Sequence, residues 1–135
     1  MTTVESKIVA IRRSDEQVYS VLSSFKNFTP AVEAAKLKDW EADDDTCKFR
    51  VDGIGLIGLK IIEREPFKSL KITGDEGVPF EFFIWLQFKQ VAPYDTRMKI
   101  TLKAELNMMM KMVIGSKLQV GIDTVAETIA KALNT

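Results

Sequence analysis

The chain has no histidine and a single cysteine, Cys47, in 135 residues. Without histidine, the usual nucleophile-activating triads, histidine-based zinc sites and a general base titrating near neutrality are all lost. One cysteine cannot form an internal disulfide, which agrees with a reducing compartment. Net charge is lacking too, because 19 Lys and Arg are cancelled by 19 Asp and Glu. No overall field draws in a phosphate backbone or an anionic lipid surface, so no nucleic-acid partner is expected. Long hydrophobic runs are also missing. Nothing approaches the roughly eighteen apolar residues of a membrane span, and Met1 to Lys7 has no apolar signal core. The expectation is a cytoplasmic protein with no membrane span.

What is present suits one domain over residues 1–135. At this length about two-thirds of the extended surface can be buried without staples. The clearest period is two: Met98, Ile100, Leu102, Ala104 and Leu106 alternate with Arg97, Lys99, Thr101, Lys103 and Glu105. Alternation of this kind marks an antiparallel sheet with one wet face. Cys47, Phe49 and Val51, then Leu70 and Ile72, repeat it. Further strands are expected over Val4 to Arg12, Leu37 to Ala42, Ile57 to Glu65 and Phe80 to Gln90. Turn residues at Asp43-Asp44-Asp45, Asp52-Gly53, Pro66, Asp75 to Gly77 and Pro93 separate them. The total is seven strands.

Helices bracket that run. Ser14 with Gln17 has the form of a capping box before Val18, Val21 and Leu22. Thr29-Pro30 predicts the N-cap and first residue of a second short helix reaching about Ala35. From about Met108 to Leu133, an apolar stripe of Ile114, Leu118, Ile122, Val125, Ile129 and Leu133 predicts a long helix. Its roughly 39 Å matches the whole width of the globule, about 37 Å. With no second long helix to take the stripe, the sheet must curl round it.

The order of strand, two short helices, six strands and long C-terminal helix resembles the helix-grip fold of the START-like superfamily, also called SRPBCC or polyketide-cyclase-like. Ile11 followed by Ser14-Asp15-Glu16-Gln17-Val18-Tyr19 and Leu22-Ser23 is similar to its first strand and helix, and Ile61-Ile62-Glu63-Arg64-Glu65-Pro66 with Leu70 to its middle hairpin. The resemblance spans nearly the whole chain. It implies an α+β fold, a seven-stranded curved antiparallel sheet around the helix, and an apolar cavity between them. The superfamily shares no catalytic set, so the resemblance supplies no catalytic residue, cofactor or metal.

Gly53-Ile54-Gly55-Leu56-Ile57-Gly58 spells G-x-G-x-x-G but runs into a β-branched segment ending at Pro66, so a glycine-rich bend is expected instead of a dinucleotide site. Asp39, Glu41, Asp43 and Asp45 fail the calcium-loop pattern, with Asp44 at the glycine position and Arg50 at the terminal glutamate position, and read as a solvated turn. Cys47 reads as an inward strand residue. Glu63 shares parity with Leu59 and Ile61, so it either points inward or sits wet on the rim. Phe83 and Trp85 fall on the face opposite Phe82 and Ile84, an apolar patch that a homodimer could cover.

The function expected is the binding of a small hydrophobic molecule, lipid-like or aromatic. Phe25, Phe28, Phe82, Ile84, Ile100 and Leu102 are the candidate lining, with Met108, Met109 and Met112, whose flexible thioethers suit a pocket of loose specificity. Asn107 and Lys111 are the nearest polar groups for a ligand head. The alternatives are a cyclase or dehydratase using a buried carboxylate, and a protein-interaction module with no cavity.

Overall fold

The computed structural model describes residues 1–29, 38–51, 55–75, 78 and 80–134. In chain order these form β1 (Thr2–Glu5), β2 (Val9–Ile11), α1 (Asp15–Leu22), a 3-10 turn (Phe25–Phe28), β3 (Lys38–Ala42), β4 (Thr46–Val51), β5 (Gly55–Glu65), β6 (Ser69–Gly74), β7 (Phe82–Ala92), β8 (Asp95–Ala104) and α2 (Met108–Leu133). The sheet is antiparallel with order β1-β8-β7-β6-β5-β4-β3, and β2 also pairs with β8. The predicted architecture of curved sheet and long terminal helix is present, with corrections in detail. The second short helix expected at about 30–35 lies outside the described residues.

The strand expected over Val4 to Arg12 is two strands, which makes the sheet eight-stranded. The cause is Ser6. Its backbone N–H donates to Ile100 O at 2.8 Å, and its Oγ accepts the Ile100 N–H at 2.9 Å. A side chain thus replaces the carbonyl that would continue the ladder. Register passes from Glu5↔Thr101 to Val9↔Met98, so three residues oppose two. This is a bulge, and it bends the strand around the helix.

Both helices begin as the sequence dictates. Ser14 Oγ accepts from Gln17 N while Gln17 Oε1 accepts from Ser14 N, completing the capping box. Asn107 Oδ1 accepts the Met110 N–H at 2.8 Å and starts α2. At its far end Asn134 bonds the Arg12 N–H and the Ala10 carbonyl, tying α2 to β2. The contact stripe needs one correction, since Val125 is 50% exposed and Ala126 is fully buried in its place. A spacing of four advances a side chain by about 40° around the axis. Met110, Ile114, Leu118, Ile122 and Ala126 therefore form a stripe that turns with the twisted sheet. The small Ala126 and Ala130 let the second half of α2 approach β2 closely.

Of the two readings of Glu63 the wet one holds, for a similar reason. Register shifts from Ile61↔Ile72 to Glu63↔Lys71, so Ile62 is an extra residue in β5. After the bulge the alternation is reversed, and Glu63 is exposed beside Lys71. The glycine-rich segment enters a strand, as expected: β5 starts at Gly55, whose φ is +107°. Asp43 Oδ1 accepts the Asp45 and Thr46 N–H groups, closing a solvent-exposed hairpin turn.

Candidate functional site

The inner face of the sheet carries two hydrophobic clusters. One joins Phe82, Leu102, Ala104 and Leu106 to Met110, Ile114 and Leu118 in the first half of α2. The larger one joins Val9, Ile11, Val18, Leu22, Phe25, Leu86, Met98 and Ile100 to Ala126, Ile129 and Ala130 in the second half. Leu59, Ile84 and Ile122 pack against both clusters, yet none of the three is fully buried. Ile84 is the informative one. Its neighbours across the ladders are Ile72, 4% exposed, and Leu102, 9% exposed. An apolar side chain in mid-sheet is thus left partly exposed between buried partners.

Half-buried apolar side chains continue away from the helix. α2 runs mainly along β1, β2 and β8. On the β3–β5 side the inward Trp40, Ala42, Phe49 and Leu59 are all half-buried. Apolar surface is thus accessible between the clusters and along that flank.

The structure separates the residues expected to line a cavity. Phe82, Ile84 and Leu102 come together beside the first half of α2. Phe25 and Ile100 are deep in the larger cluster, with Phe28 half-buried against Phe25 at a ring separation of 5.7 Å. Met108, Met109 and Met112 are 81%, 74% and 82% exposed, on the outside of α2. Met110 is the methionine of that run packed inward. A helix end that is apolar all round gives no periodic signal of which side faces in, which is why the sequence misplaced these three. Asn107 is committed to its cap and Lys111 is exposed. Leu59, Trp40 and Phe49 were missed as site residues, although the alternation of Ile57, Leu59 and Ile61 could have marked Leu59.

No protein-family model matches the chain, and no curated protein matches its sequence. Solved structures match along nearly its full length. A norcoclaurine synthase point mutant from Thalictrum flavum, in complex with a transition-state analogue, aligns with TM-score 0.78 at 12% identity, covering 98% of this chain and 93% of that one. A START superfamily protein from Mycobacterium smegmatis aligns with TM-score 0.64 at 14% identity, covering 97% and 96%. The fold is the START-like helix grip. The Aha1 dimer from Colwellia psychrerythraea aligns with TM-score 0.69 at 18% identity, covering 99% and 97%. At such identities the likeness is one of fold.

Within this helix grip the chemistry of the inner face is sparse. Among the described residues the buried polar ones are Ser6, Thr96 and, on the outer face, Thr101, and each hydroxyl is hydrogen-bonded. Among the described residues no carboxylate is buried, and no three acidic, cysteine or histidine residues gather as a metal-holding set. Cys47 is an inward residue of β4, as expected, and burial pushes its thiol up to about 12. A thiol so protonated is inert. No described helix is long and apolar enough to cross a membrane.

The outer face of the grip holds Phe83 and Trp85 half-buried, with ring centroids 6.0 Å apart. Lys71 Nζ stands 4.8 Å from the Phe83 centroid and 5.3 Å from that of Trp85, and Lys103 Nζ stands 5.6 Å from Trp85. The lysine stems shield the rings and their ammonium groups meet the ring faces. Near α1 the surface also has an open hollow of about 800 Å³, bordered by Arg13, Gln17, Gln90, Tyr94 and Leu133. Gln17 and Gln90 are already engaged there, because their Oε1 atoms accept the Ser14 and Asp15 N–H groups.

Proposed function

We propose that the protein binds a small apolar molecule, lipid-like or aromatic, in the cytoplasm, between the inner face of the sheet and α2. The observation that supports this reading is Ile84, half-buried between buried neighbours. Phe82, Ile84 and Leu102 would form the floor, and Ile114, Leu118 and Ile122 the roof. Phe25, Phe28 and Ile100 would support the floor from the larger cluster. Removing that surface from water would supply affinity at about 25 cal/mol per Å². Specificity would come from shape, since the charge on the described inner face, that of Arg64, is engaged by the Ser23 and Asp44 carbonyls and the Asp45 carboxylate. The described carboxylates lie away from this face, so the reading assigns no catalytic role.

Native mass spectrometry of the protein taken straight from cells tests the proposal. The expected result is a fraction carrying a small organic adduct that denaturation releases. Protein that is adduct-free, and that takes up no apolar probe afterwards, would refute it.

A homodimer through the outer sheet is a second reading, favoured by the dimer described for the Aha1 neighbour. Such a dimer would replace the Lys71 and Lys103 cover on Phe83 and Trp85 with a partner's surface.

A further inference from the structure

The β3 edge carries an aromatic ring on the inner face of the sheet. Register between β3 and β4 jumps from Lys38↔Arg50 to Glu41↔Lys48, so Asp39 and Trp40 together oppose Phe49. Asp39 has φ +57°, the left-handed region that aspartate tolerates better than most residues. Its carboxylate accepts Arg50 Nε–H at 2.7 Å, anchoring the bulge to the neighbouring strand. The regular pairs Glu41↔Lys48 and Ala42↔Cys47 put Trp40 and Ala42 inward with Glu41 exposed, and the extra residue turns Lys38 outward ahead of them. Bulges at sheet edges commonly re-aim a side chain in this way.

The ring so placed has faces to offer and no polar demand. Trp40 Nε1–H donates to Thr29 Oγ1 at 3.0 Å, which satisfies its only polar atom. Phe49 lies alongside, with centroids 6.3 Å apart and planes 31° from parallel. Both rings are half-buried on the open flank of the inner face. An aliphatic ligand would be served by the Leu and Ile surface around Leu59 and Ile84 alone. Two near-parallel rings with a satisfied indole N–H add preference for a flat partner, because offset stacking favours another ring.

Resting on the proposed apolar site, we infer that Trp40 and Phe49 form a stacking wall that selects ligands carrying a planar ring. The experiment is an NMR titration of the intact protein with 2-naphthol and, separately, 1-octanol. Signals followed are the indole N–H of Trp40, the indole N–H of Trp85 on the outer face, and the Ile84 methyl groups. The expected result is that 2-naphthol moves Trp40 and Ile84 and leaves Trp85 in place. Trp40→Leu should weaken 2-naphthol about five-fold, the scale of one ring–ring pair, and leave octanol unchanged. Phe49→Leu is the second variant if the first is unstable, and the wild-type shifts need no variant at all. If both probes move Ile84 but Trp40 stays still, the wall is wrong and the apolar site survives. If neither probe moves Ile84, the site itself is wrong and the wall falls with it.

Discussion

The Lys7 backbone N–H donates to Asp123 Oδ1 at 2.7 Å, pinning the break between β1 and β2 to the middle of α2. Gln119 Nε2–H adds a second bond to the same carboxylate and a third to the Glu5 carbonyl. These donors, the Lys7 amide first, hold the Asp123 carboxyl below the usual carboxylate range. A carboxylate with a lowered folded pKa contributes stability above its unfolded value, about 4, and loses it as pH falls through the folded value. Asp123→Ala should therefore lower Tm at neutral pH, with the gap to the native protein closing as pH is taken from about 5 towards 2. Thermal melts across that range check it, and a gap that stays constant contradicts it.

Cys47 should be chemically silent while the chain is folded. Burial is the main cause of its raised thiol pKa, about 12 against an ordinary 9.0. Alkylation by iodoacetamide at about pH 8 should run on the order of a hundredfold slower in the native protein than in guanidinium. Equal rates in the two states would mean that β4 opens freely.

Neighbouring positions on β7 should respond differently to truncation. Leu86 is 3% exposed in the larger cluster, whereas Ile84 is only half-buried. Leu86→Ala should cost about 3 kcal/mol. Ile84→Ala should cost about 1 kcal/mol, because little packing lies above it to lose. Denaturant melts of the two variants decide the matter, and equal costs would mean that Ile84 is packed like its neighbours.

Gly74 sits under the Phe82 ring. A Cβ there would lie 2.9 Å from Phe82 Cε1 and 3.2 Å from Val78 Cγ2. Gly74→Ala should destabilise by about 1–3 kcal/mol through overpacking. Gly121 has no atom within 4 Å of such a Cβ, so Gly121→Ala should be neutral or stabilising on helix propensity alone. Parallel melts test the contrast, and a neutral Gly74→Ala contradicts it.

The outer-sheet dimer has its own test. Sedimentation at high protein concentration should show a dimer that Trp85→Lys converts to monomer. A native protein that stays strictly monomeric removes that reading.

The long helix and most of the strands were legible because each repeats a period over many residues, as from Met98 to Ala104 and from Ile114 to Leu133. What sequence could not show is where a period slips. Ser6, Asp39 and Ile62 each accompany an extra residue in a strand, and each changes which side chains meet the core. One such slip sends Glu63 outward against its parity, and another turns Lys38 outward ahead of Trp40. A bulge has no composition of its own, since the bond that makes it, such as Ile100 N–H to Ser6 Oγ, joins residues far apart in sequence. The methionine run failed for a different reason: thioethers are apolar wherever they sit, and only the packed helix shows that Met110 alone of Met108 to Met110 faces in.

Methyl NMR under dissolved xenon tests the central claim most directly, because xenon enters apolar space without regard to ligand identity. The account predicts that the methyl groups of Leu59, Ile84 and Ile122 shift together while those of Ile11 and Leu70, both fully buried, stay where they are. Small and equal shifts at all five would mean that the space between sheet and helix is filled, and would contradict it.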